Sequence, residues 1–323
     1  MPKIYSVFLY SDPTEYELLV AKVSTEQNYV ESWIVVESNH SFKGRKKEFT
    51  LTQQISTDKR LSSHRARIYI IENRENFLEI IADPFKSKVI HELESKSRHL
   101  LNQNYKFYER KHREKKFFKV ERMTRDLAID LLLEVSKGQG WAFICDVDEI
   151  LTIPKHDSGH WQEVLNKGEK FLRFRRFRYV FDFDNLDGQF RTCPLVDISL
   201  LRNKENFKIS EFRERQDGIF YEKFLKIVEF SYCLSLEGVQ IKLRDFSHEA
   251  PPKSEIEKAL LLNHSLRYPD DPKTNVNWLT KVPIVTETHP DYVVEFQEKL
   301  MTGVVNKNYL DERKLAYPEL FSN

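Results

Sequence analysis

Residues 141–150 read WAFICDVDEI, and this stretch decides the fold. Its first five residues, Trp141 to Cys145, are apolar, which is typical of a strand buried inside a sheet. The run ends in three carboxylates, Asp146, Asp148 and Glu149. Crowded carboxylates repel one another unless a cation lies among them, and open α/β sheets bind ligands at the carboxyl ends of their strands. The stretch therefore predicts a divalent metal at a strand tip, placed to bind phosphate.

The chain around this stretch alternates between apolar strands and amphipathic helices. We predict strands at 3–10, 33–36 and 67–71, helices at 14–24 and 119–136, and a long mobile loop over the polar, basic residues 40–65. That alternation is the pattern of a parallel α/β sheet. Beyond residue 154 we predict short strands at 171–184, 191–202, 220–234 and 239–247, followed by helices at 255–264 and 291–301.

Composition excludes several classes of protein. The 323 residues carry a net charge of +1, which provides no general attraction to nucleic acid. The three cysteines, Cys145, Cys193 and Cys233, are far apart in apolar contexts, so we expect no disulfide framework. The N-terminus resembles no signal peptide, and no stretch approaches the ~18 apolar residues of a membrane helix. We expect a cytoplasmic protein.

Two kinds of chemistry use a strand that ends in Asp-x-Asp. One is phosphoryl transfer by enzymes of the haloacid-dehalogenase type, whose motif is D-x-D-x-T. Here Ile150 stands at the fifth position, and more than a hundred residues with their own α/β pattern precede the motif. This alternative stays open beside that of a non-catalytic protein that binds sugar or nucleic acid. The other chemistry is sugar transfer from a nucleotide-sugar, which four further segments favour.

Those segments follow one another in a specific order around DVDEI. They are YSVFLYSDPTEYELLVAKV (5–23), WIVVESNHSFKGRKKEF (33–49), ERMTRD (121–126) and FSYCLSLEGVQIKLRDFSHEA (230–250). Together they resemble glycosyltransferase family 17, the β-1,4-mannosyl-glycoprotein 4-β-N-acetylglucosaminyltransferase family, over most of residues 4–250. The segment HPDYVVEFQEKL (289–300) is similar to the tail of that family.

The resemblance implies a fold and a reaction. The fold is a single GT-A-like, Rossmann-like α/β domain whose central, mostly parallel sheet is flanked by helices. Residues 1–150 would bind the nucleotide-sugar and the metal, 151–250 the acceptor, and 251–323 would form a helical C-terminal segment. The reaction is the inverting, metal-dependent transfer of a sugar, N-acetylglucosamine in the family, from a UDP-sugar to a hydroxyl of a glycan or a lipid-linked saccharide.

The same resemblance assigns site residues. The predicted ligands of Mn²⁺ or Mg²⁺ are Asp146, Asp148 and His248. The predicted nucleotide-sugar contacts are Glu37, Ser38, Phe42, Lys47, Arg125, Asp146 and Lys242. Arg122 is added to them because it stands three residues before Arg125 and can share its helix face. An inverting enzyme also needs a base to deprotonate the acceptor hydroxyl. Five carboxylates are candidates for this base, and Glu249 and Asp184 are preferred over Asp182, Glu222 and Asp245.

Two further segments are rich in basic residues. Residues 106–119, KFYERKHREKKFFK, would either contact an anionic membrane surface or form a solvated helix or loop. In FLRFRRFRYV (171–180), we expect a buried aromatic face and arginines that line an acceptor groove. We expect no nucleic-acid partner.

Overall fold

The structure, a computed structural model, describes residues 2–77, 79, 116–152, 160–166, 168–180, 185–202, 209–213, 219–231, 234, 236–246 and 280–281. The described α-helices are α1 (Tyr16–Glu26), α2 (Leu51–Thr57), α3 (Lys116–Asp126), α4 (Ala128–Ser136), α5 (His160–Leu165), α6 (Ile209–Arg213) and α7 (Leu236–Asp245). The described strands are β1 (Ile4–Tyr10), β2 (Val30–Ser38), β3 (Ile68–Asn73), β4 (Trp141–Asp146), β5 (Glu149–Thr152), β6 (Phe171–Val180), β7 (Asn185–Asp197), β8 (Ile219–Ser231) and β9 (Thr280–Lys281).

The strands form one mixed sheet, in the order β3-β2-β1-β4-β7-β6-β8-β5, with β9 beside β7. The first four strands of this order are parallel to one another. From β4 onwards the pairing changes, because β7 runs antiparallel to β4 and to β6, and β5 runs antiparallel to β8. The predicted α/β class is confirmed, whereas the expected mostly parallel sheet holds only for the first half. Residues 181–184 alone separate β6 from β7, which is too short for the crossover that parallel strands need.

Helices cover both faces of the parallel half. Strand β1 is buried over its whole length because β2 and β4 flank it. Its side chains alternate between two cores: Ile4 and Phe8 pack on the side of α1, while Val7 and Leu9 pack on the side of α4. This period of two, with both faces apolar, explains why the strand contains no exposed position.

The sheet curls so that β5, at its far edge, comes close to the end of β4, in its middle. Strand β4 lies in the middle of the sheet and β5 at its end, yet only Val147 and Asp148 separate them along the chain. Three residue steps span at most ~11 Å, so the end of β4 and the start of β5 must lie close together. The amide of Phe230 in β8 donates to the carbonyl of Asp148 at 2.9 Å and fixes this turn to the second half of the sheet.

Several sequence predictions are corrected. Residues 40–65, predicted as a loop, contain α2 and a 3₁₀ helix at Lys59–Leu61. Of residues 239–247, predicted as a strand, 239–245 belong to α7, which ends at Asp245. Its apolar residues alternate with polar ones, but Val239 and Leu243, four apart, are the positions buried in the core, which is a helical spacing.

The long helix predicted at 119–136 is formed with one irregularity. Leu127 separates α3 from α4, although its φ of −59° and ψ of −23° remain helical. Helix α4 ends at Ser136; the next residue, Lys137, has a φ of 54°, and the amide of Gly138 donates to the carbonyl of Leu133 at 3.0 Å. This is the usual hydrogen-bond pattern of a left-handed helix end.

The predicted division at residue 150 falls inside β5, so the described sheet continues across it. Of the predicted helical segment 251–323, the structure describes only Thr280–Lys281, which forms β9. The helices predicted at 255–264 and 291–301 therefore lie outside the described residues. Within the described part of the chain, no helix has the length and apolar character needed to cross a membrane.

Candidate active site

Asp146, the last residue of β4, is held by two arginines. Arg125 of α3 is 1% exposed and donates to Asp146 Oδ1 at 2.7 Å and to the carbonyl of Cys145 at 2.5 Å. Arg213 of α6 donates to Asp146 Oδ2 from the other side. Burial alone would raise the pKa of Asp146, but the two guanidinium groups outweigh it and hold that pKa below its usual value.

Glu149 supports the turn from inside. It is 1% exposed, and its Oε2 accepts the backbone amide of Asp146 at 2.8 Å. Arg213 donates to Glu149 Oε2 at 2.5 Å, and Arg176 of β6 donates to Oε1 at 2.7 Å. Burial would raise the pKa of Glu149, but both arginines keep it far below its usual value. Glu149 is therefore an anion that closes the D-x-D turn and fixes Asp146.

The side-chain partner described for Asp148 comes from α7. It is 4% exposed, and its Oδ2 accepts from Lys242 Nζ at 2.8 Å. The same ammonium lies 3.3 Å from Oε1 of Glu15, the residue before α1. Burial raises the pKa of the Asp148 carboxyl, and the ammonium of Lys242 lowers it only in part. Lys242 thus joins the D-x-D turn to the start of α1.

The donor set of the turn fits a hard divalent cation with few protein ligands. Among the described residues, no group of three or more His, Cys, Asp and Glu side chains surrounds a common metal position. Mg²⁺ is commonly held by only one or two carboxylates, with water and substrate phosphates completing its shell. Asp146 and Asp148 supply such carboxylates, and each carboxylate oxygen can accept more than the one arginine or lysine bond described for it.

A cleft lies beside the turn, at the carboxyl ends of β1 and β2. Its enclosed volume is about 30 Å³, and about 500 Å³ when the open mouth is counted. The enclosed part holds only one or two water molecules, so a larger ligand would lie along the mouth or displace α7. Residues of β1, β2, the segment after β2, and α7 line the cleft, among them Ser38, His40, Phe42, Lys47, Lys242 and Phe246.

Two polar groups in this cleft have no partner within the described structure. The Nδ1 atom of His40 is buried and makes no hydrogen bond. The ammonium of Lys47 forms no ion pair within 4 Å in the described ranges, and burial lowers its pKa although nearby carboxylates oppose this. Phe42 and Phe246 meet edge to face at 6.1 Å and form an apolar wall. The cleft thus combines a cation, an imidazole and an aromatic surface.

Four of the predicted nucleotide-sugar contacts line this cleft: Ser38, Phe42, Lys47 and Lys242. Glu37 does not line it. Its buried carboxylate accepts the backbone amides of Thr50 at 2.9 Å and Leu51 at 3.2 Å, and so caps the N-terminus of α2. A contact between Glu37 and a ribose or uracil stays a prediction, and the structure gives the side chain a capping role.

The two arginines of α3 have different surroundings. Arg125 binds Asp146 and Cys145 and is sealed from solvent, so it orders the turn and has no exposed face for a phosphate. Arg122 is half-buried and is not among the described residues that line the cleft. The predicted phosphate contacts of both arginines stay predictions.

Three predicted residues lie outside the described part of the chain. They are the metal ligand His248 and the general bases Glu249 and Asp184. Most of the basic segment 106–119 also lies outside it. In β6 the expected buried aromatic face is formed by Phe174 and Phe177.

Sequence analysis missed Arg213 and Glu15, and it expected the arginines of β6 on an acceptor groove. In the structure Arg176 pairs with Glu149 and with Glu229 of β8, the latter at 2.8 Å. The only signal in the sequence was the excess of carboxylates in DVDEI, which required cations from elsewhere in the chain.

No protein-family model matches the chain, and no curated protein is significantly similar to it. The likeness to glycosyltransferase family 17 therefore rests on the quoted sequence motifs.

Proposed function

We propose that the chain is an inverting, metal-dependent glycosyltransferase of the GT-A type. It would transfer a sugar, with N-acetylglucosamine as the first candidate, from a UDP-sugar to a hydroxyl of a glycan or lipid-linked saccharide. The observation that carries the proposal is the junction between the cleft and the D-x-D turn, since Lys242 lines the cleft and donates to Asp148 at 2.8 Å. A nucleotide at the strand ends would thus extend its diphosphate towards the two carboxylates.

The groups along the cleft suit the parts of a nucleotide. The ammonium of Lys47 is available to a phosphate oxygen. Phe42 and Phe246 offer an apolar wall on which a base can pack. The unpartnered Nδ1 of His40 can donate to or accept from a ribose hydroxyl or a base edge, depending on its tautomer.

Around the reacting diphosphate, the protein would supply fixed charges. A divalent cation held by Asp146 and Asp148 would contribute positive charge to the departing diphosphate. Arg125 and Arg213 hold the Asp146 carboxylate in one orientation, and Lys242 holds that of Asp148. Deprotonation of the acceptor by Glu249 or Asp184 stays a prediction, because both residues lie outside the described part of the chain.

The contacts of Asp146 favour this function over a phosphatase of the haloacid-dehalogenase type. Such an enzyme needs an aspartate oxygen that is free to attack phosphorus. Both oxygens of Asp146 accept hydrogen bonds from guanidinium groups, one from Arg125 and one from Arg213. Those bonds stabilise the carboxylate and oppose its attack on a phosphate.

The test is calorimetric titration of UDP, with and without Mn²⁺, into the wild type and three variants. We expect metal-dependent binding, weakened at least ~10-fold by Asp148→Asn and several-fold by Lys47→Met. Asp130→Asn, at an exposed position of α4, is the matched carboxylate control and should stay within about twofold.

Absence of UDP binding with any divalent metal would refute the proposal, as would equal binding by wild type and Asp148→Asn. Positive binding would be followed by assays of UDP-sugar hydrolysis and of transfer to saccharide acceptors. Hydrolysis of simple phosphoesters without any response to UDP-sugars would instead support the phosphatase.

A further inference from the structure

A buried ion pair in α1 lies close to the D-x-D turn but outside the cleft. Lys22 and Glu26 are both fully buried, and Lys22 Nζ donates to Glu26 Oε1 at 2.8 Å. The ammonium also lies over the rings of Phe8 and Phe143, at 5.1 and 4.8 Å from their centroids. Burying two charges carries a large desolvation penalty, and hydrophobic side chains of similar size often serve stability equally well. The pair therefore calls for a role beyond packing.

The contacts of Lys22 and Glu26 with β5, the strand that follows the D-x-D turn, indicate what that further role is. Strand β5 ends the sheet order and pairs with β8 along one edge. Along its other edge, Lys22 donates to the carbonyl of Glu149, and Glu26 Oε1 accepts the amide of Leu151 at 3.0 Å. Tyr29, just after α1, donates its hydroxyl to the carbonyl of Leu151. Three side chains, Lys22, Glu26 and Tyr29, thus take the place of a neighbouring strand, and we call them the β5 clamp.

The β5 clamp is itself tied to the parallel half of the sheet. Glu26 Oε2 accepts from the indole nitrogen of Trp33 in β2 at 2.9 Å. At the other end of the same helix, Glu15 lies 3.3 Å from Lys242, which holds Asp148. The D-x-D turn is therefore tied to the region of α1 at two places. Glu15, just before the helix, is linked to the side chain of Asp148 through Lys242, and Lys22 donates to the backbone carbonyl of Glu149.

We propose that the β5 clamp is a positioning device for the D-x-D turn, with Lys22 and Glu26 as positioning residues for Asp148 and Glu149. Along that edge β5 has no strand partner in the described structure, and the contacts of Lys22, Glu26 and Tyr29 join it to α1. If β5 moves away from α1, Asp148 and Glu149 move with it, and their distance to Asp146 changes. The part of this inference that concerns donor binding rests on the proposed function, whereas the anchoring of β5 does not.

Hydrogen exchange tests the anchoring without any ligand. In Lys22→Met the amides of 149–152 should lose at least ~10-fold more protection than those of β1, since the clamp has lost one side chain and the buried Glu26 carboxylate has lost its ammonium partner. Tyr29→Phe, which removes one hydroxyl, should show the same local pattern at about 2- to 5-fold. Tyr16→Phe removes a comparable bond from α1 to the carbonyl of Gln54 and should leave 149–152 unchanged.

Donor binding provides the readout that a purely structural pair would not change. Leu132→Ala in α4, on the opposite face of the sheet, serves as a variant of lowered stability with an intact clamp. With all proteins folded at the assay temperature, Lys22→Met should bind UDP with Mn²⁺ at least ~10-fold more weakly than Leu132→Ala. Tyr29→Phe should be weakened about 2- to 5-fold against Tyr16→Phe, so the test survives if Lys22→Met fails to fold.

The outcomes separate the two ideas. Equal loss of protection in β5 and β1, or donor binding by Tyr29→Phe equal to that of Tyr16→Phe, would overturn the positioning role. A wild type that binds no UDP with any metal would refute the proposed function alone. The exchange pattern over 149–152 would then decide whether the clamp anchors β5.

Discussion

Replacing Arg213 with methionine tests whether the cation cluster holds the D-x-D turn. Methionine keeps much of the side-chain volume and removes the charge that Asp146 and Glu149 share. Removing one partner of a buried ion pair typically costs ~3–5 kcal/mol. The lower end applies here, since Arg213 is 19% exposed and the carboxylates retain Arg125 and Arg176. We therefore expect a loss of about 3 kcal/mol in the free energy of unfolding.

The assay is urea denaturation followed by both fluorescence and circular dichroism, so that agreement of the two transitions supports a single free energy of unfolding. A loss of about 3 kcal/mol leaves a protein of ordinary stability folded. Arg74→Met is the matched control, because Arg74 is exposed and its ion pair with Glu72 is 3.5 Å long. That change should cost less than ~0.5 kcal/mol.

A double-mutant cycle with Glu149→Gln completes the test. If Arg213 and Glu149 stabilise each other, the double variant should lose less stability than the sum of the single variants, by at least ~1 kcal/mol. Additive losses, or an Arg213→Met protein within ~0.5 kcal/mol of wild type, would refute the description of the cluster as a set of coupled charges.

Three further outcomes follow from local geometry. The thiol of Cys145 is fully buried, and burial raises its pKa to about 12, so a thiol reagent should modify Cys145 only after denaturation; fast labelling of Cys145 in the native protein, located by peptide mapping, would contradict this. Gly140→Ala should lower the free energy of unfolding by well over ~1 kcal/mol, because the φ of Gly140 is +96° and a Cβ would lie 2.6 Å from the carbonyl oxygen of Lys3. In Gly168→Ala the Cβ meets no atom within 4 Å, so only the strain of the positive φ remains. Thermal melts should therefore show the larger loss for Gly140→Ala. Glu37→Gln should lower the free energy of unfolding, measured by urea denaturation, by ~1–3 kcal/mol because the helix cap is weakened. Unchanged stability would argue against the capping role and favour the predicted contact of Glu37 with the nucleotide-sugar.

The position of the acidic turn could be predicted from the sequence because it depends on a local pattern. An apolar run followed by carboxylates requires only that the run be a buried strand, and β4 ends at Asp146 as expected. The partners of those carboxylates depend on topology. Arg213 and Lys242 reach the turn from α6 and α7, and no spacing in the sequence indicates which distant cations will do so.

Two other differences have identifiable physical causes. In GVQIKLRDF (238–246), apolar and polar residues alternate in a way that suits a strand. The segment instead forms most of α7, because a helix buries Val239 and Leu243 on one face. Glu37 lies near the carboxyl end of β2 as predicted, yet a carboxylate at a strand end can bind a ligand or cap a nearby helix terminus. In the structure Glu37 caps α2, and this helix could not be anticipated because its segment has a polar composition that suggested a loop.

The closure of the sheet at the D-x-D turn also has a consequence for how the protein folds. Strand β4 can join β1 early, through contacts within the first half of the chain, but Glu149 pairs with Glu229, far along the sequence. During synthesis, β1 and β4 are made before the strand that contains Glu229. The carboxylates of the turn are therefore made before Arg213 of α6 and Lys242 of α7, the cations that later pair with them. We expect the acidic turn to stay solvated during this interval, so that a metal ion can meet its carboxylates before Arg213 and Lys242 do.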